Sequence, residues 1–389
     1  MKNKELLLVP GPTPVVDEIY DALSSETRGH TDPRFVAIYK NAIEQTKRLF
    51  NTDGEVYVVA GSGTLAMEMA LVNTVGKGEK LLVISHGYFG DRFTPLATAY
   101  GIQVEVLQSQ WGKRVDAELV KEALADKSFK AVTITHADTS TGVASDLETL
   151  IPIIKEAGAL AIVDGVVATA ALQEDMSQAY GGNPNYTLDV VLTGSQKAIG
   201  VPPGLAVVAF SPQALEAREA LGSIPAYYAD INNWRAIMDD PGKYFATPPV
   251  NLIYAYDVAL KIVLDEGMEK REARHMAYGK GVRAALRSYG MQPLADEEVA
   301  AATLSCIVYP EGVNDAEFRS SLAKRGVIVA GSLAHLAGKA FRIGHMGNTT
   351  PEQLEQAIRS IGEALQEQGV AVDIEAAIQA WEEQINILV

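Results

Sequence analysis

A chain of 389 residues, 48% of them hydrophobic and 21% charged, is long enough for two domains or for one large α/β domain with an appendage, which excludes a single small core. Its net charge of -16, with acids spread along the chain, argues against nucleic acid or an anionic membrane as an electrostatic partner. One cysteine, Cys306, and six scattered histidines without an HxH or HxxxH pair leave no intrachain disulfide and no basis for a protein metal site.

The first residues, MKNKELLLVPGPTP, have too short an apolar stretch and no small-residue cleavage site for a signal peptide. No run approaches the roughly 20 apolar residues of a membrane span, so a cytoplasmic protein is expected. From about Glu55 to Phe210, short apolar runs (EVYVV, KLLVIS, VEVLQ, AVTITHA, LAIVDGV, DVVLTG, LAVVAFS) alternate with helical patterns. That rhythm predicts an α/β fold: a mostly parallel sheet covered by helices. After Pro212 the pattern turns helical, including a long stretch from 252 to about 289. Strand-like runs then return in LSCIVYP, GVIVAGS and AFRIGHMG. The chain is therefore divided into residues 1–267, an N-terminal segment and large domain, and residues 268–389, a smaller C-terminal α+β domain. The last stretch, DIEAAIQAWEEQINILV, has helical apolar spacing and is expected to pack on the body or on a partner subunit.

Ligands of open α/β sheets bind at the carboxyl edge of the strands, and four features fall there. In VVAGSGTLAMEMA, a strand, a glycine turn and a helix start follow in order, so the helix amides and the hydroxyls of Ser62 and Thr64 suit a phosphate. Gly61, Gly63 and Ala66 also fit the GxGxxA of dinucleotide folds, but the next strand ends in Ser85, His86 and Gly87 instead of the acid that would hold a ribose. A plain phosphate cup is the better reading. Asp164 ends LAIVDGV, where desolvation is costly unless the carboxylate meets a cation, although an aspartate after a strand is more commonly a turn or cap residue. THADTSTG offers the hydroxyls of Thr139, Ser140 and Thr141; taken alone it is a polar turn. Finally, LTGSQKAIGVPPG sets Lys197 on a tight connection between two apolar strands, where a solvated hairpin lysine is the bland alternative. Together the four describe pyridoxal phosphate: a phosphate cup, an acid for the pyridine nitrogen, hydroxyls for the ring oxygen and an amine for the aldehyde. A lysine partly removed from water beside an electron-poor ring loses proton affinity and becomes available as a nucleophile and base.

PGPTPV at Pro10, GSGT, GYFGDR, TSTG, VDGV, GSQKAIGVPPG and FRIGHMG at Phe341 make the chain similar, over nearly its whole length, to the class V aminotransferases of the fold-type I pyridoxal phosphate enzymes. The alanine–glyoxylate and serine–pyruvate group is the nearest in pattern. The resemblance implies that Lys197 holds the cofactor covalently and that Asp164 partners the pyridine nitrogen. It implies Ser62, Gly63, Thr64 and Gln196 at the phosphate, Phe89 stacked on the ring and Ser140 at the ring oxygen. Tyr244 and Thr247, in KYFATPPV, match a pair that reaches the phosphate from the other subunit, which implies a homodimer with shared sites. Arg342 matches the arginine for the substrate α-carboxylate, a role its planar fork suits, and the PGPTPV segment with Gly11 borders the substrate. Two positions depart from the pattern. Val167 and Ala168 stand where relatives often have a serine, and Asp138 stands where they commonly have glutamate.

The implied activity is a cytoplasmic, dimeric transaminase that moves the amino group of a small amino acid, alanine or serine first, to glyoxylate or pyruvate. A cysteine desulfurase of the same fold needs a mobile, exposed thiol, whereas Cys306 lies in the apolar run TLSCIVY. A dinucleotide-dependent oxidoreductase rests on GxGxxA alone. A non-catalytic interaction protein has no use for the lysine, aspartate and arginine together.

Overall fold

The computed structural model describes residues 5–126 and 128–386. Seven strands form the central sheet, side by side in the order Glu55–Ala60, Leu205–Phe210, Val190–Gly194, Leu160–Asp164, Phe129–Thr135, Lys80–Ser85 and Gln103–Gln108. Six run the same way. Leu205–Phe210 alone is antiparallel to both neighbours, because it returns directly from Val190–Gly194 through the short lysine-bearing loop. The inner strands are buried on both faces, as their unbroken apolar runs require. The edge strand Gln103–Gln108 is largely exposed.

Helices are set by local signals. Asp32 caps Pro33–Phe50 by accepting from the Arg34 amide, and Ser211 caps Pro212–Leu221 at the Ala214 amide. The helical stretch expected over 252–289 is two helices, Val250–Glu266 and Met268–Ser288. Gly267 separates them at φ +82°, which an uninterrupted helix does not accommodate.

Two hydrophobic cores result. The first joins the central sheet to its helices; the second lies between a four-stranded antiparallel sheet and the helices Met268–Ser288, Asp315–Lys324, Pro351–Glu367 and Ile374–Ile385. That smaller sheet runs Gln292–Pro293, Leu304–Val308, Ala340–Gly344, Ala330–Gly331. The start of the chain goes with the second core: Leu6–Leu7 pairs in parallel with Val327–Ile328, and Leu6 and Leu8 are buried there. The C-terminal helix packs on the body of its own chain, with Trp381 against Tyr278 and filling the space beside Gly281; the last three residues of the stretch lie outside those described. Among the described residues no helix is long and apolar enough to cross a membrane.

Candidate active site

The carboxyl edge of the central sheet opens into a cleft lined by residues of several loops. Ser62, Gly63, Thr64, Phe89, Thr139, Asp164, Gln196 and Lys197 all line it. Lys197 follows the strand Val190–Gly194 on a loop pinned from several directions. Ser195 Oγ donates to Pro202 O at 2.8 Å, the Gly200 amide to Lys197 O at 2.9 Å, and Thr13 Oγ1 to Lys197 O at 2.7 Å. Arg271, fully buried, donates from Nη2 to Ala198 O at 2.8 Å. The Lys197 ammonium donates to Pro10 O. Burial, and then the nearby Arg342 guanidinium, push the amine down to about 8, while Asp164 acts the other way. Gly11 lies directly against the lysine side chain at φ +103°, where a Cβ would collide with Lys197 Nζ, so both backbone and space require glycine.

Asp164 ends its strand 4% exposed. Its Oδ1 accepts from the Val166 amide at 3.0 Å. Burial dominates and raises the carboxyl to about 7, with Asp138 and Glu174 adding to the rise and the Val166 bond and Lys197 opposing it. An acid so placed favours a positively charged N–H donor.

Opposite, Ser62 occupies the N-cap position of the helix Gly63–Val72, and its hydroxyl makes no cap bond. A Cβ at Gly63 would press on Val166 at 3.0 Å, so the helix end is held close to the loop after Asp164. Gln196 Oε1 is buried without a protein partner. Uncommitted helix amides beside such groups suit an anion.

The aromatic wall is a turn fixed by one carboxylate. Asp138, fully buried, accepts from the amides of Phe89 at 3.0 Å, Gly90 at 3.2 Å and Ser140 at 2.8 Å. Arg92 covers the Phe89 ring, its guanidinium carbon 4.9 Å from the centroid, and donates from Nη1 to Thr64 Oγ1 at 3.3 Å. Neither the Asp138 clamp nor the Arg92 bridge follows from the sequence pattern, although an aspartate inside THADTSTG and an arginine closing GYFGDR were their available signals.

Ser140, Tyr244, Thr247, Arg342 and Gly11 are not among the residues that line the cleft. Ser140 does not line the cleft: its hydroxyl donates to Asp138 Oδ1 at 2.5 Å and accepts from the Tyr88 amide at 2.9 Å, and Thr139 faces the cleft instead. The turn thus engages that hydroxyl in its own closure. Tyr244, 64% exposed, and Thr247 lie outside the cleft of their own chain, with the Tyr244 ring 5.2 Å from that of His30. Arg342 sits on the smaller sheet, opposite Cys306 and Ala330, and reaches across to the large domain: Nε donates to Gly331 O at 3.0 Å and Nη1 to Thr139 O at 3.2 Å. Cys306 itself is buried, its thiol pushed up by desolvation and 3.6 Å from Ser332 Oγ, the setting of an inert core thiol.

The family model described as aminotransferase class-V matches residues 12–374. An uncharacterized aminotransferase of Methanocaldococcus jannaschii is 36% identical over 386 residues, covering 97% of this chain and 98% of that protein. The L-aspartate–glyoxylate aminotransferase of Paracoccus denitrificans is 32% identical over 98% of this chain and 96% of its own length. The crystal structure of an alanine–glyoxylate aminotransferase from Nostoc sp. superimposes with a TM-score of 0.87 at 29% identity, covering 94% of this chain and 96% of that one.

Proposed function

The chain belongs to the class-V aminotransferases, and on that premise we propose that it carries the amino group of a small α-amino acid, alanine or serine first, to glyoxylate or pyruvate in two alternating half-reactions. Glyoxylate is the acceptor named for both the Paracoccus and the Nostoc proteins. Membership of the family implies pyridoxal 5'-phosphate as the cofactor, and the residues present fit it. The observation that carries the reading is the placement, in one cleft, of the Lys197 amine and the buried Asp164 carboxyl beside the helix N-terminus at Ser62–Thr64, with burial lowering the amine and raising the carboxyl.

Ser62, Gly63, Thr64 and Gln196 would hold the phosphate at the helix N-terminus, Phe89 would lie on the ring, Thr139 in place of Ser140 would meet the ring oxygen, and Asp164 would face the ring nitrogen. When bound, the cofactor supplies an aldehyde carbon for amines and a ring that spreads negative charge away from the substrate Cα. The work of the chain is to place protons and charges around that centre. Asp164 would stand as a carboxylate against a protonated ring nitrogen, accepting its N–H hydrogen bond and so keeping the proton on the ring, an attraction that burial away from water strengthens. Lys197 Nζ, uncharged in a useful fraction near neutral pH, would take the proton from the substrate Cα and deliver it to the carbon that supplied the aldehyde. Arg342, oriented by its bonds to Gly331 and Thr139, grips the α-carboxylate and so aligns the Cα–H bond with the lysine.

The exposed pair Tyr244 and Thr247 fits a contribution to a second chain's phosphate site, which makes the working unit a homodimer. The lack of a long apolar helix among the described residues and the acidic charge fit a cytoplasmic enzyme without nucleic-acid or membrane partners. The two cores fit a division near Gly267, with the N-terminal strand crossing to the smaller part.

A half-reaction screen tests the reading. Amino acids are added singly to the cofactor-loaded protein while its visible absorption is followed. Alanine or serine should discharge the absorption, and glyoxylate or pyruvate should restore it. No response to any α-amino acid would overturn the proposal.

A further inference from the structure

Arg271 lies in the first turn of the helix Met268–Ser288, just after Gly267, and its side chain is wholly withdrawn from solvent. A buried guanidinium is costly unless its donors are met and its charge is paired. Here the pairing is thin. Its carboxylate, Glu266, is partly exposed and shared with Arg274, so two cations share one anion. Hydrocarbon of similar volume would fill the space without that cost.

The donors give the cation another reason to be there. Nε donates to Ala170 O at 2.5 Å and Nη2 to Ala198 O at 2.8 Å. Ala198 is the residue after Lys197. Ala170 belongs to the turn that follows Asp164, in which the amides of Ala168 and Thr169 return to Gly165 O at 2.9 and 2.7 Å. Ala170 stands at φ +64°, a left-handed conformation unfavourable for alanine and kept only where its surroundings enforce it. One planar group thus spans the carbonyls of both loops, and the rigid fork sets their separation. A flexible ammonium imposes no such distance.

The same helix braces the lysine loop from its other side. His275 Nδ1 donates to Arg271 O at 2.6 Å, and its Nε2 accepts from the Gly347 amide at 2.9 Å. Arg274 Nη2 donates to Gly347 O at 3.0 Å. A Cβ on Gly347 would stand 3.4 Å from Ala198 O, so the segment that follows Arg342 lies directly against the loop.

We infer that Arg271 is a positioning residue for Lys197: by bridging Ala198 O and Ala170 O it fixes the reach of the Lys197 amine relative to the loop that follows Asp164. Arg271 is not among the residues that line the cleft, so it acts through the backbone it holds. The inference rests on the reading of Lys197 as the amine that takes the cofactor aldehyde.

Two forms of the cofactor separate positioning from folding. Pyridoxal 5'-phosphate needs the cup and the amine, because its aldehyde condenses with Lys197 Nζ and releases water. Pyridoxamine 5'-phosphate has no aldehyde and needs only the cup and the ring contacts. Arg271→Lys keeps the charge and loses the fork; Arg271→Gln loses the charge and keeps a planar donor. In either variant of the cofactor-free protein, covalent attachment of pyridoxal 5'-phosphate should slow about ten- to a hundredfold, the scale of a misplaced reacting group, while the dissociation constant of pyridoxamine 5'-phosphate stays within about twofold. Stopped-flow absorption gives the rate, and borohydride trapping with peptide mapping confirms the lysine. Equal losses for the two cofactor forms, attachment at the wild-type rate, or failure of both variants to fold would assign Arg271 to the fold and overturn the inference. Attachment in the wild type distinguishes the two levels of failure: its absence overturns the transaminase reading, whereas its presence beside unaltered variants overturns only the role of Arg271.

Discussion

Two lysine–aspartate pairs occupy opposite ends of the same sheet, and their surroundings differ in one respect. At the amino edge, Lys155 donates to Asp189 Oδ2 at 2.6 Å and to Gln213 at 2.8 Å, and Asp189 also accepts from the Ala161 amide at 2.8 Å and from Ser211 Oγ at 3.3 Å. At the carboxyl edge, Asp164 has the Val166 amide, and Lys197 bonds Pro10 O instead of a carboxylate. Both aspartates are raised by burial, but Asp189 is compensated by a direct ion pair and two further hydrogen bonds. Buried charge that is saturated with partners holds strands together. Buried charge left with bonding capacity facing a cleft is available for chemistry.

The sharpest way to break this contrast is to remove each lysine. Lys197→Ala should leave a folded protein that no longer attaches the cofactor covalently and turns over at least about 100-fold more slowly, the scale of a lost general base; single-turnover kinetics would show it. Lys155→Met should instead lower stability and leave kcat per folded molecule near its original value. Similar losses of turnover in the two variants would erase the distinction.

The aspartates divide the same way. Asp189→Ala leaves Lys155 buried without its partner and should cost about 3–5 kcal/mol in denaturant unfolding. Asp164→Asn should reduce turnover about 100-fold and, in the cofactor-free protein, do the opposite for stability. The folded carboxyl keeps its proton up to about 7, whereas the unfolded one releases it near ~4, so ionised Asp164 destabilises the fold increasingly as pH rises through that window. Melting curves should therefore show Asp164→Asn above wild type at pH 8 and level with it at pH 4. A variant less stable than wild type at pH 8 would place Asp164 with the structural pair.

Arg342→Ala should raise KM about ten- to a hundredfold for every α-amino and α-keto acid, with an amine lacking the carboxylate nearly indifferent. Equal losses for both would make Arg342 an element of domain packing. The smallest effects separate two adjacent hydroxyls. Thr139→Ala should weaken cofactor affinity several-fold, about the worth of one hydrogen bond, while Ser140→Ala should lower the melting temperature with cofactor affinity nearly unchanged. Fluorescence titration with the cofactor, beside thermal melts, distinguishes them, and the reverse pattern would restore Ser140 to the ring.

The parallel sheet and the placement of Asp164 and Lys197 at its edge are legible in the sequence because each polar residue interrupts an apolar β-rich run at its end. What escapes is anything decided by distant partners. Asp138 reads as one aspartate in a polar turn, and only folding brings to it two amides from nearly fifty residues upstream. Which hydroxyl of THADTSTG faces outward depends on how that turn closes, with the Thr141 and Gly142 amides on Asp138 O and Gly142 at φ +72°. The strand Leu6–Leu7 is too short for a periodic signal, so its pairing with Val327–Ile328 could not be read.

The most direct test of the contrast between the two pairs is borohydride reduction of the cofactor-loaded protein followed by peptide mapping. The cofactor should be fixed to the peptide that contains Lys197, with none on Lys155 or any other lysine. Label on a different lysine, or a reduced protein that carries none, would contradict the assignment of the carboxyl-edge pair to catalysis.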